Sequence, residues 1–224
     1  MRKILVIIII CAVTNLFSFE INNPDSINVI LNKFAENLGE VQKVKYLNME
    51  YHISQNLKGN DLTFWSSIQI VFPDNLILKF ADYTIELDSK KAFRKYDDGF
   101  YEKLNPKISD KFRQPLKKNL IYLAKYYKQM AFETLELIDY ENGQAYKITN
   151  KDKTLTLYID KSSYIIYQIE YVVDDQLRIK RYSDYKNFGK IKYPTKIKVT
   201  DNEGNFISGI ELIKLDLKMP LKKK

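Results

Sequence analysis

Cysteine, histidine, glycine and proline are all scarce in this chain of 224 residues, which contains one cysteine, one histidine, seven glycines and six prolines. With so few thiol and imidazole groups, a disulfide scaffold, a zinc site and a cysteine–histidine nucleophile pair are nearly excluded. A serine–histidine–aspartate triad is disfavoured for the same reason. The sequence also lacks a phosphate loop, a dinucleotide fingerprint and a nucleophile elbow. We therefore expect a protein that is not an enzyme, with no catalytic residue, no metal and no cofactor.

Apolar and aromatic residues are plentiful by contrast. Hydrophobic residues make up 45% of the chain and aromatic residues 13%, mainly 17 tyrosines and 12 phenylalanines. This is enough for the core of one domain, and the tyrosines favour half-buried strands. Lysine and arginine outnumber aspartate and glutamate by 36 to 28, which gives a formal charge of +8. That charge is compatible with nucleic acid or with anionic lipid as a partner, and it does not decide between them.

The first residues have the layout of a secretory signal peptide. Arg2 and Lys3 precede an apolar run at residues 4–13, after which polar and small residues follow. The run is too short to span a bilayer comfortably, which takes about 20 residues. We expect residues 1–18 to be a signal peptide and residues 19–224 to form a single domain in the periplasm. Export makes nucleic acid a poor candidate for a partner.

Two segments have the 3.6-residue apolar period of amphipathic helices. The first covers residues 23–39, with Pro24 at its first helical position. The second covers residues 114–131, with Pro115 near its start. Lysines are interleaved with the apolar face of the second segment: Lys117, Lys118, Lys125 and Lys128. We interpret them as a solvated cationic face or, as the alternative, as the basic side of a lid that meets an anionic membrane or partner.

Outside these helices the apolar period changes to two, which is typical of half-buried strands in an antiparallel sheet. Such runs fill residues 43–101 and 133–218, and they amount to about ten or eleven strands. In the last run the apolar phase changes between Leu212 and Ile213, which predicts a β-bulge or a strand buried on both faces. The predicted fold is α+β and mainly β, a curled antiparallel half-barrel whose helices cap an apolar cavity.

The large apolar residues of the strands predict the lining of that cavity, and the apolar face of the second helix predicts its lid. The expected cavity residues are Tyr51, Phe64, Ile68, Phe72, Leu78, Phe80, Ile85, Leu157 and Tyr167. The expected lid residues are Leu116, Leu120, Leu123 and Tyr127. His52 has the opposite strand phase from Tyr51 and is interpreted as an ordinary surface histidine. The acidic segment 201–205 is interpreted as a hairpin turn, because it lacks the spacing of a calcium loop.

Several local strings follow one another in an order that is found in one protein family. Tyr51–Gln55 resembles the aromatic-x-x-x-Gln string of that family's first long strand, and Ile70–Leu76 resembles its strand-proline-turn-strand step. Asp88–Asp97 is similar to its basic, aromatic, then Tyr-Asp string, and residues 157–194 resemble its C-terminal strand ladder. Over residues 25–218 the chain therefore resembles the periplasmic lipoprotein carriers of the LolA/LolB type and the wider group of outer-membrane lipoprotein-sorting proteins.

This resemblance implies a half-barrel with a hydrophobic cavity that shelters lipoprotein acyl chains or lipids between two membranes. It also implies a monomer that meets an inner-membrane export complex and an outer-membrane acceptor. The carriers typically have an arginine just before the strand-connecting proline, where it helps to close the cavity, but this chain has Phe72. We therefore expect Phe72 to pack against the lid without charge-assisted hydrogen bonds. The alternative is a non-transporting interaction or sensor module on the same half-barrel.

The first prediction concerns export. Protein recovered from the envelope fraction should begin between about residues 15 and 20, because the basic start and the short apolar run are those of a cleaved signal peptide. N-terminal sequencing of the purified protein measures this directly. A mature protein that begins at Met1 would instead indicate an uncleaved anchor.

Overall fold

The structure is a computed structural model that describes residues 24–57, 60–88 and 91–218. The expected signal peptide lies outside the described residues. Helix α1 is followed by six strands: α1 (Pro24–Leu38), β1 (Tyr46–Leu57), β2 (Asn60–Val71), β3 (Asn75–Lys79), β4 (Tyr83–Leu87), β5 (Ala92–Tyr96) and β6 (Tyr101–Lys103). Two helices and seven strands follow: α2 (Pro106–Lys117), α3 (Leu120–Tyr126), β7 (Phe132–Tyr140), β8 (Gly143–Asn150), β9 (Leu155–Asp160), β10 (Ile166–Val173), β11 (Gln176–Phe188), β12 (Ile191–Asp201) and β13 (Phe206–Lys218). Single 3₁₀ turns lie at Val41–Lys43 and Tyr127–Gln129.

All thirteen strands belong to one antiparallel sheet, in the order β6-β5-β4-β3-β2-β1-β13-β12-β11-β10-β9-β8-β7. The first six strands form a meander that ends at one edge of the sheet, and the last seven form a meander that starts at the other edge. The two meanders meet where β1 pairs with β13. The sheet curls but does not close, so the predicted half-barrel, mainly β with helices, is confirmed.

The concave face of the sheet and the helices share one hydrophobic core. Leu47 and Met49 of β1, Ile85 of β4 and Ile169 of β10 are fully buried on this face. Helix α1 contacts α3, β7 and β12. It buries the whole apolar face that its sequence period predicts: Ile27, Ile30, Leu31, Phe34 and Leu38. In the part of the chain that the structure describes, no helix is long and apolar enough to cross a bilayer.

The predicted strand count is too low, because β5 and β6 carry no apolar alternation. Arg94 of β5 lies directly opposite Ile85 of β4 and Glu102 of β6, which places it on the concave face. Arg94 Nη1 and Glu102 Oε2 are 3.2 Å apart. A charged pair thus stands where the pattern requires large apolar side chains, and periodicity alone misses both strands.

The second helix begins earlier than predicted. The sequence pattern predicts residues 114–131, whereas α2 begins at Pro106. Asn105 caps this start, since its Oδ1 accepts a hydrogen bond of 2.9 Å from the N–H of Ile108. The same Asn-Pro signature occurs at residues 23–24, just where α1 begins. This signal was available in the sequence and predicts the true start of α2 better than Pro115 does.

The same segment is also interrupted, where a single helix was predicted. Asn119 separates α2 from α3, because its side chain accepts hydrogen bonds from the N–H groups of Ile121 and Tyr122 and so caps α3. Its Nδ2 donates a 3.0 Å hydrogen bond to Tyr193 Oη in β12. All the polar atoms of this buried amide therefore serve to hold the break between the two helices against the sheet.

The change of apolar phase in the last strand marks a β-bulge. Glu50 pairs with Lys214 and Tyr51 pairs with Leu212, so Ile213 has no partner in β1. Leu212 is buried, whereas Ile213 is 49% exposed. Of the two explanations that the sequence left open, the bulge is correct and burial of both faces is wrong.

Gly39 brings the end of α1 against the turn between β11 and β12. Its φ of +99° lies in the left-handed region, and it forms an isolated bridge with Ile191. A Cβ atom at this position would overlap the carbonyl oxygen of Lys190. Glycine is therefore needed both for its backbone conformation and for the close approach of the two chain segments.

Comparing Gly39→Ala with Gly204→Ala separates these two requirements. Gly204 also has a positive φ, +87°, but a Cβ there meets no atom within 4 Å. We expect Gly204→Ala to lower the free energy of unfolding by about 1 kcal/mol through backbone strain alone. Gly39→Ala should lower the free energy of unfolding by about 1–3 kcal/mol more than this, because the end of α1 must also move away from the turn. Urea denaturation measures both values, and equal losses would contradict the role of the close approach.

Candidate functional site

Eight of the nine expected cavity residues lie on the concave side of the sheet. Four are buried: Tyr51, Leu78, Ile85 and Leu157. Four are partly buried: Phe64, Ile68, Phe72 and Phe80. Seven of the eight belong to or pack against one hydrophobic core, and Phe64 pairs with Ile53 at the far end of β2. These side chains fill the core together with the helices, so they do not line the open grooves that are described below.

Tyr167 lies on the other face of the sheet, contrary to the prediction. A register shift between Ile166 and Gln168 places Tyr167 at a bulge in β10. Its ring stacks on Tyr140 with 4.5 Å between the centroids. It also lies 6.2 Å from the ring of Tyr158, which alternates with the buried residues of β9. The bulge reverses the strand phase from which the cavity position of Tyr167 was predicted.

The expected lid residues are part of the core. Their side chains are all buried: Leu116, Leu120, Leu123 and Tyr127. Leu120 and Leu123 belong to α3, in which Ile121 and Ala124 are also fully buried. Helix α3 therefore covers the concave face as a packed layer, and α2 is the more exposed part of the segment.

Phe72 packs against α3, as expected from its position. Its ring centroid lies 6.3 Å from those of Tyr122 and Tyr126. A charge is nevertheless present, because Lys125 Nζ lies 5.2 Å from the centre of the Phe72 ring. Lys125 also donates a 2.9 Å hydrogen bond to the carbonyl of Gln42. This end of the helix is thus held by aromatic packing with a cation over the ring.

The open space lies at the mouth of the half-barrel, between α2–α3 and strands β8–β11. The lining of one groove, of about 450 Å³, includes Lys118, Tyr122, Tyr126, Met130, Leu155 and Val172. The lining of a second groove, of about 380 Å³, includes Lys111, Lys118, Tyr171, Val172, Asp174 and Lys180. The two grooves share Gln114, Lys118 and Val172. We term the two adjoining grooves together the mouth groove.

Helix α2 crosses this mouth and is attached on both sides. Arg113 donates a hydrogen bond to the carbonyl oxygen of Asp88, which follows β4. Lys111 Nζ forms an ion pair of 2.9 Å with Asp174 in the turn between β10 and β11. The side chains of this pair are more than half exposed, and an exposed ion pair contributes about 0–1 kcal/mol. Breaking the attachment of α2 to the β10–β11 turn therefore requires little free energy.

Lys118 is buried at the floor of the mouth groove, not solvated as its helical pattern predicted. The residue is 8% exposed, and its Nζ lies 3.9 Å from the centre of the Tyr171 ring. Tyr182 Oη donates a 3.2 Å hydrogen bond to the carbonyl of Lys118 and so fixes its backbone. Desolvation, with a smaller effect from the charge of Lys117, lowers the pKa of Lys118 to about 8.

Lys180 is a second lysine in the same groove. It pairs with the buried Ile169 and therefore points towards the concave side. Burial, with a smaller effect from the charge of Lys118, lowers the pKa of Lys180 to about 8. The sequence pattern missed this lysine, because in β11 the large apolar residues Leu177 and Ile179 occupy the outward phase.

Two other candidates from the sequence lie away from the mouth groove. The ring of His52 packs at a tilt against Trp65, with 5.3 Å between the ring centroids, and Trp65 is 62% exposed. Asp201 Oδ1 accepts hydrogen bonds from the N–H groups of Glu203 and Asn205, which makes this acidic segment the turn between β12 and β13, as predicted. Within the described residues, no three histidine, cysteine or acidic side chains are grouped closely enough to hold a metal ion.

The fold is found in several solved structures of low sequence identity. A LolA superfamily protein from Nitrosomonas europaea superposes with a TM-score of 0.60 at 14% identity, over 87% of this chain and 94% of that one. A DUF1329 family protein from Desulfovibrio piger gives a TM-score of 0.59 at 16% identity, over 86% and 93% of the two chains. A domain from Vibrio parahaemolyticus that is named for outer membrane lipoprotein sorting gives a TM-score of 0.55 at 9% identity, over 86% of this chain and 93% of that one.

These similarities establish the fold, which is that of the LolA superfamily structure and of the lipoprotein-sorting domain. No family model matches the chain, and no curated protein matches it either. The fold that the sequence resemblance implied is therefore confirmed by structure.

The burial of Lys118 predicts an increase in stability when its charge is removed. Its pKa in the folded state, about 8, lies below the usual 10.5, so below pH 8 the folded protein carries an unfavourable charge. Lys118→Met should raise the free energy of unfolding at pH 7 by about 1–3 kcal/mol, given that one pKa unit corresponds to about 1.4 kcal/mol. This difference in the free energy of unfolding should decrease as the pH rises from 8 to 10.5. In that range Lys118 of the wild type is largely deprotonated in the folded state and still protonated in the unfolded chain.

Urea denaturation at pH 7 and pH 9 tests this expectation. Lys128→Met is the matched control, since Lys128 is exposed just beyond α3 and its replacement should change stability by less than about 0.5 kcal/mol. A loss of stability in Lys118→Met at pH 7 would show that the amine makes a net favourable interaction in the folded protein.

Proposed function

We propose that this protein is a periplasmic carrier that binds the acyl chains of lipoproteins or lipids in the mouth groove, for transfer towards the outer membrane. The observation that carries the proposal is the mouth groove itself, an open space with apolar and polar walls between the helical segment and the concave sheet. Leu155 and Met130 supply aliphatic surface, and Tyr122 and Tyr126 supply aromatic surface. Both groove volumes fall within the range of ordinary ligand sites, about 300–1,000 Å³.

Acyl-chain binding requires burial of hydrocarbon and no reacting group. Each buried methylene contributes about 0.8 kcal/mol, so a chain of a dozen carbons can be held by an apolar groove alone. This agrees with a chain that has one histidine and one cysteine and that offers no metal cluster among its described residues. We accordingly propose that the protein is a binder and not an enzyme.

The helical segment supports a lid function. Helix α2 is attached to the β10–β11 turn by the exposed Lys111–Asp174 ion pair, whereas α3 is fully packed on the core. Movement of α2 would therefore withdraw Leu116 from the core and widen the groove towards Leu78 and Ile85, which are buried in the same core. In this mechanism Leu116 moves with the lid, and the other three lid residues expected from sequence, Leu120, Leu123 and Tyr127, form the deep wall of an opened site.

One of the structures with the same fold is named for outer membrane lipoprotein sorting, which supports the choice of ligand. Export through the predicted signal peptide would place the protein between the two membranes, where lipoproteins travel. An inner-membrane export complex and an outer-membrane acceptor are the partners that such a carrier needs. The basic charge of the chain, +8, would favour contact with anionic membrane surfaces.

A pair of valine variants tests acyl binding in the mouth groove. Val173 has the same strand phase as Tyr171, lines the smaller groove and is 37% exposed, whereas Val71 is 44% exposed and lies outside the groove. Val173→Asp should weaken binding of a fluorescent acyl probe with an uncharged head at least tenfold, about 1.4 kcal/mol, because the carboxylate must be desolvated against the chain. Val71→Asp should bind as the wild type does.

Fluorescence titration measures both affinities, and circular dichroism confirms that both variants fold. Mass spectrometry of lipid that remains with the purified wild type identifies the natural ligand. If the folded wild type binds no acyl probe and retains no lipid, the carrier proposal fails and the interaction or sensor module becomes the better explanation.

A further inference from the structure

Two lysines of the mouth groove have no acidic partner among the described residues. Lys118 is buried, and its Nζ contacts the face of the Tyr171 ring, with neither a hydrogen bond nor an ion pair to a described side chain. Lys180 Nζ lies 5.6 Å from the centre of the Tyr182 ring and likewise has no ion pair with a described carboxylate. A buried ammonium group normally has an anionic or hydrogen-bonding partner. The two amines open into the groove and form a positive site that no described carboxylate neutralises.

The acidic groups that line the groove are already engaged elsewhere. Asp174 forms its ion pair with Lys111 at the rim. Asp152 accepts a 2.7 Å hydrogen bond from Thr154 Oγ1 in its own turn. Neither carboxylate therefore neutralises the two amines, and the interior of the groove keeps a positive charge.

The two like charges are also close enough to disfavour each other. The charge of Lys118 contributes to lowering the pKa of Lys180, in addition to burial. An anion between the two amines would offset both the repulsion and the desolvation. The two lysines also lie where the grooves adjoin. Lys118 lines both grooves, and Lys180 lines the smaller one. The positive site thus adjoins the apolar walls of both.

We propose that Lys118 and Lys180 bind the anionic head of an amphiphile, a carboxylate or a phosphate, whose acyl chain lies along Leu155, Val173 and Met130. This inference rests on the proposed function and narrows its ligand class from acyl chains in general to acyl chains with an anionic head. The Tyr171 ring packs against the amine of Lys118 and holds it in the groove. Charge-assisted hydrogen bonds to two ammonium groups then select the charged ligand over a neutral one.

Three ligands with one chain and different heads test the proposal: dodecanoate, dodecyl phosphate and 1-dodecanol. Each competes against the uncharged acyl probe at pH 7, below the concentration at which it forms micelles. The wild type should bind at least one of the two anions at least tenfold more tightly than 1-dodecanol, and the tighter anion identifies the head as carboxylate or phosphate. Lys118→Met and Lys180→Met should each lose most of this preference while their affinity for 1-dodecanol remains.

Lys128→Met is the control, since Lys128 is exposed and does not belong to the groove lining. This variant should keep the full preference for the anionic ligand over 1-dodecanol.

Equal affinity of the wild type for dodecanoate, dodecyl phosphate and 1-dodecanol overturns the anionic-head proposal and leaves the carrier proposal intact. Retention of the preference in both lysine variants also overturns it. Inorganic phosphate is tested alone, and affinity equal to that of dodecyl phosphate would show a site for free anions. Failure of all three amphiphiles and of the probe to bind overturns the proposed function itself.

Discussion

The pairing of β1 with β13 is the constraint on which the rest of this structure depends. It joins the first strand to the last, over ten residue pairs from Tyr46–Lys218 to Gln55–Ser208, and makes two meanders into one sheet. As a consequence, β6 and β7 lie at opposite edges of that sheet. The chain between them has to travel from one edge to the other, and the shortest covered route crosses the concave side. Helices α2 and α3 lie on that route, so the connection also serves as the cover of the core.

The same crossing creates the mouth groove. Helix α3 buries its apolar face in the core, and α2 lies across the opening between the connection after β4 and the β10–β11 turn. The break at Asn119 stands between them and is bonded to Tyr193 in the sheet. Lys118 directly precedes that break, and its carbonyl is held by Tyr182. Its side chain is therefore kept in the groove by the geometry that ends one helix and starts the next. Such a position carries an energetic cost for a lysine, which binding of an anion would offset.

Most of the fold was predictable, because its signals are local. Helix α1 and most strands have clear apolar periods, and even the bulge at Ile213 was visible as a change of phase. The failures have local physical reasons. Strands β5 and β6 carry the Arg94–Glu102 pair on their concave face, so they show no apolar alternation. The predicted start of the second helix rests on Pro115, whereas Asn105 and Pro106 begin α2. The predicted single helix is interrupted because Asn119 can cap a helix as well as continue one.

The sequence by itself determined on which side of the sheet most large apolar residues lie, since hydrophobic burial follows strand period. Eight of the nine residues expected at the cavity lie on the concave side, seven of them in or against the core and none in the mouth groove. The sequence could not determine the candidate site. Lys118 has the pattern of a solvated helix residue, and Lys180 lies beside Leu177 and Ile179, the aliphatic residues at the start of β11, which face outward. Their shared location depends on the crossing of α2–α3 over β10 and β11, and the two lysines are 62 positions apart along the chain. Only the tertiary structure decides that contact, because it arises from strand pairing at long range and leaves no period in the sequence.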